Sequence, residues 1–307
     1  FPTVFSTSFI QHEVVGQYSH LLTVQGSNPS LQPYMLLAHF DVVPAPEEGW
    51  EVPPFSGLER DGFIHGRGTL DNKNSVMAIL QALELLLIRN YIPQRSFFIA
   101  LGHDEEFSFP ANIVLSNMWL FQPLVSRLID RNPITNAMIR TTTAVTMFHA
   151  GVKVNVIPPV AQAIVNFRIH PAQTVGEVLE LTKNIVADDR VQFEVLRAFD
   201  PLPISPSDDQ ALGYQLLRQT ILSVFPEVNI VVPGTCIGNT DSRHYTNLTT
   251  GIYLFNPVVL KPSDANRIHG VNEKISVQAY ETQVKFIFEF IQNADTDRKP
   301  VPHLHDL

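Results

Sequence analysis

Residues 33–43 read PYMLLAHFDVV, and the fold turns on that run. Its apolar stretch is continuous rather than alternating, the pattern of a strand buried on both faces, and it ends in His39-Phe40-Asp41. Residues 74–90, NSVMAILQALELLLIRN, are too long for a strand and apolar around most of a helix surface. Residues 96–102, SFFIALG, read as a second buried strand and lead straight into His103-Asp104-Glu105-Glu106. Strand, helix and strand joined by short connections imply a parallel pair, with ligands beyond the C-terminal ends of the strands. Both polar clusters stand at such an end.

Past residue 106 the character changes. Residues 117–132 read as a helix, 141–151 and 160–171 as strands, 174–189 as an amphipathic helix opened by Thr174, and 190–199 as a further strand. This is the pattern of a small α+β module inserted into the first domain. The Pro-rich stretch DPLPISPSDD, residues 200–209, is the hinge back. A helix over 208–225, strands near 227–232 and 251–255, and a last amphipathic helix over 276–293 follow. The tail from 296 is polar and Pro-broken, hence flexible.

Composition narrows the function. The chain has 307 residues, a net charge of -9 and no basic block, so nucleic acid is not a partner. The lone Cys236 rules out an internal disulfide and a cysteine-based zinc site. No apolar run reaches membrane-spanning length. No G-x-S-x-G turn is present, which removes the serine-hydrolase reading. The chain at hand shows no signal-peptide pattern, and Asn247-Leu248-Thr249 is a glycosylation acceptor if the protein is secreted.

Three sites remain as carriers of chemistry. A His-x-Asp at a strand end can place imidazole on a metal while the carboxylate holds the other ring nitrogen. Asp71, just before the long helix, is equally a helix cap. Glu105 and Glu106, taken alone, could belong to a solvated loop. Together, at the ends of successive elements, His39, Asp71 and Glu106 converge on one rim. Nitrogen and oxygen donors without thiolate suit Zn²⁺ or a similar divalent ion.

LLAHFDVVP (36–44), GRGTLDNK (66–73), GHDEE (102–106), GVKVNVIPPVAQAIVNFRIHP (151–171) and RIHG (267–270) resemble, in order and over nearly the whole chain, the signatures of the di-zinc aminoacylase and carboxypeptidase family. Within it the likeness is greatest to a secreted branch that makes and hydrolyses N-fatty-acyl amino acids. The resemblance implies an α/β fold: a mixed, mainly parallel sheet with helices on both faces, plus an inserted, incomplete α+β lid of ferredoxin-like type. Residues 1–106 and 201–295 would form the catalytic domain, and 107–200 the lid, through which such enzymes dimerise. His39 would ligate one zinc, Asp71 bridge two, and Glu106 and His269 complete the second. Asp41 would orient His39. Glu105 would be the general base, taking a proton from the attacking water and returning it to the leaving amine. Asn155 and Arg168 would hold the substrate carboxylate and the oxyanion, the latter through its bidentate fork. Asp241 and Arg243 would line the amino-acid side of the cleft. N-acyl amino acids, fatty acids and free amino acids are the implied ligands.

The sequence departs from that family in two places, one of them Asn72, where relatives often carry a second acid beside the bridging Asp, and the other after Glu106. Relatives follow the acidic pair with a turn, a helix, and a strand bearing a further zinc ligand, then a lid half with an oxyanion histidine. Here no acidic residue occurs between Glu106 and Asp130. The expectation is a form lacking an internal block, retaining one zinc of two and having impaired activity. The alternative is a non-catalytic form that acts as a binding or dimer partner.

Overall fold

The computed structural model describes residues 1–103, 105, 140–170, 172–234, 240–259, 264 and 267–295. The chain divides into two compact units, one of residues 1–108, 205–231 and 249–307, the other of 109–204 and 232–248.

The first unit opens with a short helix, α1 (Pro2–Ser6), and the hairpin of β1 (Ile10–Val15) and β2 (Ser19–Val24). Next come β3 (Tyr34–His39), a small hairpin of β4 (Leu58–Arg60) and β5 (Phe63–His65), helix α2 (Lys73–Ile88) and β6 (Phe97–Gly102). The main sheet has the order β1-β2-β6-β3. β3 and β6 run parallel, with His39 opposite Gly102. The two runs that end in polar clusters therefore finish side by side, as strand–helix–strand connectivity requires. The hairpin strands join antiparallel, so the sheet is mixed.

One face of this sheet makes the core. Phe97, Ile99 and Leu101 alternate inward along β6. Against them α2 presents Val76, Ile79, Leu80, Leu83, Leu86 and Leu87, a stripe at helical spacing. The helix begins after Asn72 without a side-chain cap, the Asp71 carboxylate being turned to the histidines, and it stops at Arg89 before the turn at Asn90, whose φ is 59°.

The second unit contains β7 (Thr142–Ala150), β8 (Ala161–Arg168) and α3 (Val175–Val186). β7 and β8 pair antiparallel with an irregularity between Val145 and Met147. Thr174 caps α3: its hydroxyl accepts from Glu177 N–H, and the Glu177 carboxylate accepts from Thr174 N–H.

The chain then returns to the first unit through α4 (Leu212–Val224), β9 (Lys274–Ser276) and α5 (Val277–Ala294). β9 adds to the small sheet in the order β4-β5-β9. Ile291 of α5 joins the main core, and Phe286 packs with Ile221 and Val224 of α4. The end of α5 is tied to the entry of β6: buried Arg95 donates to Ala294 O, and Asp295 Oδ1 accepts from Gln94 and Arg95 N–H, each at 2.7 Å. Among the described residues no helix is long and apolar enough to cross a membrane.

Three expected strands are absent. Residues 190–199 alternate in sequence, yet they are irregular and almost wholly exposed. Residues 227–232 and 251–255 likewise form no ladder. Alternation supplies a strand's side-chain faces but not a neighbour for its backbone, and none is found beside these segments among the described residues. The helix expected over 117–132 and the tail from 296 lie outside the described residues.

Candidate metal centre

Five of the expected site residues, His39, Asp41, Asp71, Glu105 and His269, meet at the C-terminal end of the β3–β6 pair. His39, the last residue of β3, is buried. Its Nδ1 lies 3.1 Å from the Asp41 carbonyl oxygen and 3.3 Å from the Asp41 carboxylate. Asp41 therefore fixes the ring from behind and turns Nε2 forward. Nε2 is 3.2 Å from Asp71 Oδ1 and 3.8 Å from Glu105 Oε2. Glu105, just past β6, is itself buried.

His269 completes the group from a distant part of the chain. Its Nε2 lies 3.1 Å from Asp71 Oδ2, the oxygen that His39 does not use. Asp71 thus offers one carboxylate oxygen to each histidine. His269 has a φ of 62°, a left-handed backbone uncommon outside glycine, of the kind that gathers at functional sites.

The electrostatics follow from these contacts. Burial alone would push His39 down, but the hydrogen bond to Asp71 and the charges of Glu105, Asp71 and Asp41 raise it to about 9. Burial would likewise raise Asp71, yet its hydrogen bonds with His269 and His39 hold it well below the usual carboxylate range. The centre is an ion-pair network of two imidazoles around one carboxylate.

The donors are spaced to suit an ion. Two ligands at about 2.0–2.1 Å from a tetrahedral zinc lie roughly 3.3 Å apart. The His39–Asp71 and Asp71–His269 separations of 3.2 and 3.1 Å are close to that. Among the described residues no three such donors are grouped as a formed cage, the histidines hydrogen-bonding Asp71 instead. Glu106 lies outside the described residues.

The remaining expected residues belong to the second unit. Arg168 ends β8 opposite Thr142, and burial lowers its pKa from the usual guanidinium value. Asn155 lies in the exposed turn between β7 and β8. Asp241 and Arg243 sit in the short 3₁₀ helix Asp241–Tyr245, where Arg243 Nη2 is 3.8 Å from Asp241 Oδ1.

Two residues escape sequence reasoning altogether. Glu273 and Arg67 are buried and paired, and both bond to the loops carrying Asp71 and His269. They sit in irregular segments, where periodicity carries no signal. Their only mark is the presence of a charge within HGRG and VNEK.

A family model, Peptidase family M20/M25/M40, matches residues 35–293. The chain belongs to that family. It is by family a metal-dependent hydrolase. Over 417 aligned positions it is 60% identical to the N-fatty-acyl-amino acid synthase/hydrolase PM20D1 of Bos taurus, covering 100% of this chain and 83% of that one. The Homo sapiens protein of the same name is 59% identical over 416 positions, again with 100% and 83% covered. Among solved structures the fold matches an M20 family metallo-carboxypeptidase of Sulfolobus solfataricus, with a TM-score of 0.68, 15% identity and 93% and 90% of the two chains covered. The mixed α/β architecture read from the sequence is thus the family's. The bovine match spans 417 positions against 307 residues here, so at least the difference, 110, has no counterpart in this chain.

Proposed function

We propose that the chain is a zinc-dependent amidohydrolase of N-acyl amino acids, N-fatty-acyl ones in particular, and that it also runs the reverse condensation of fatty acid with amino acid. The observation that carries this is the sharing of Asp71 between His39 and His269, with Glu105 beside them, in a chain 60% identical to an N-fatty-acyl-amino acid synthase/hydrolase. Asp71, Glu106 and His269 would hold one ion, and His39 and Asp71 would contribute to a second. A divalent ion so held supplies Lewis acidity toward the amide carbonyl and toward water.

The residues supply the rest. Asp41 keeps the proton of His39 on Nδ1, leaving Nε2 to face the centre. Glu105 is the general base: its carboxylate takes a proton as water attacks the amide carbon and delivers it to the departing amine nitrogen. In reverse, the same carboxylate takes a proton from the attacking amine. Arg168 and Asn155 would bind the substrate carboxylate and the oxyanion, and Asp241 and Arg243 would line the amino-acid side. The protein would be secreted.

The aligned positions without a counterpart favour a lowered rate. We place the gap after Glu106, where the remaining ligand of the His39 ion and an oxyanion histidine would fall. Losing one such donor costs about 10²–10³ in turnover. The same gap supports a second reading, a non-catalytic form that serves as a binding or dimer partner.

Incubation of zinc-loaded chain with N-acyl amino acids of short and long acyl chain, with product amino acid quantified, decides between them. The proposal expects slow hydrolysis that a chelator abolishes and Glu105→Gln eliminates. Folded, zinc-loaded chain that releases no amino acid from any of them would establish the non-catalytic reading.

A further inference from the structure

We propose that Glu273, braced by Arg67, is a positioning residue of the metal centre, one that sets the distance between Asp71 and His269. The inference rests on the reading of those two residues as metal ligands.

Glu273 is buried, and its two carboxylate oxygens do different work. Oε1 accepts from three backbone N–H groups in one short segment: Gly68 at 3.1 Å, Leu70 at 2.7 Å and Asp71 at 3.2 Å. Oε2 accepts from Arg67 Nη1. Arg67 Nη2 in turn donates to Gly270 O at 2.6 Å, the residue after His269. The backbone adds Gly66 N–H to Glu273 O at 3.0 Å. The loop before α2 and the loop before β9 are thus fastened at both ends, and the fastening brackets the two residues that meet at 3.1 Å.

The local sequence is shaped to allow this. Gly68 has a φ of +89°, and a Cβ there would come within 2.9 Å of Val42 Cγ1, so the loop can fold over Glu273 only with glycine. The Trp50 ring covers the Arg67 guanidinium, with the centroid 5.3 Å away. Were the pair present for stability alone, apolar residues of similar volume would serve as well or better. Its bonds instead gather on the two loops that present the ligands, and one donor is the Asp71 N–H itself. Holding ligands through hydrogen bonds from behind is how outer groups tune a metal site, where their loss costs 10–100-fold in affinity.

Zinc affinity is measured by competition with a chromophoric chelator, and thermal unfolding of the chelator-treated chain is followed in parallel. Glu273→Gln, which keeps the volume, is expected to bind zinc about 10–100-fold more weakly while the metal-free chain stays folded. Arg67→Lys, which keeps the charge but loses the fork, should fall between it and the parent. A folded Glu273→Gln chain with parental affinity overturns the proposal. Should Glu273→Gln fail to fold, Arg67→Lys decides on the same criterion. Failure of both to fold assigns the pair to stability and overturns it too. A parent that binds zinc yet hydrolyses nothing refutes the proposed activity while leaving the affinity ratio to judge the positioning role. A parent that binds no zinc overturns the positioning role directly.

Discussion

His39 shows how much of the centre's behaviour resides in one side chain. With its pKa raised to about 9, it is protonated at neutral pH in the metal-free chain. That proton is held against Asp71, so an ion taken up by Asp71 and His269 competes with it without His39 being a ligand. Apparent zinc affinity should therefore rise with pH between neutrality and pH 9, by at most about tenfold per unit, and level off above, with proton release measurable in weakly buffered titration. The sign for stability is the opposite. A histidine raised from 6.5 to about 9 stabilises the metal-free fold fully below pH 6.5 and loses that contribution, roughly 3 kcal/mol, as pH climbs through 9. Asp71, depressed from 3.8, contributes above that value and loses its part as pH falls. Thermal unfolding of chelator-treated chain should show Tm falling from pH 7 to 9, and His39→Gln should flatten that fall. An alkaline fall of parental size in the variant would assign it elsewhere. His39 and Asp71 were legible as members of the candidate centre because a histidine or a carboxylate stood at each expected element end. Glu273 and Arg67 were not, since a carboxylate that bonds backbone N–H groups leaves no pattern in sequence.

At the level of elements, legibility followed burial. β3, α2 and β6 could be read because one core encloses them, and their apolar residues repeat at the period each element requires. Leu83 is fully buried between sheet and helices, so Leu83→Ala should cost about 2–5 kcal/mol in chemical denaturation of the chain. The helix α3 was readable from its cap alone. Thr174→Ala removes the hydroxyl that accepts from Glu177 N–H, while the backbone N–H at 174 can still donate to the Glu177 carboxylate, and should destabilise the second unit by about 1 kcal/mol, seen as a lower midpoint when that unit's unfolding is followed. No change in midpoint would mean that this helix end frays in the parent as well. Residues 190–199 mark the limit. Val191, Phe193 and Val195 alternate as strand residues do, yet all are exposed, since a strand is made by its neighbour as well as by its own side chains. The mixed sheet was implied by the family resemblance alone, because nothing in SHLLTV tells whether its neighbour runs with it or against it.

For the whole molecule, the chain's identity as a member of the M20/M25/M40 peptidases and the meeting of His39, Asp71, Glu105 and His269 support the proposed account, a zinc centre serving an amidohydrolase. The aligned positions that the chain lacks lead to the expectation that one ion, held through Asp71 and His269, survives of two. The most direct test is zinc per folded chain by native mass spectrometry, before and after chelation, with Asp71→Ala alongside. The account predicts one zinc, removed by the chelator and absent from Asp71→Ala although that chain remains folded. A folded parent that carries no zinc, or an Asp71→Ala chain that carries as much as the parent, would contradict it.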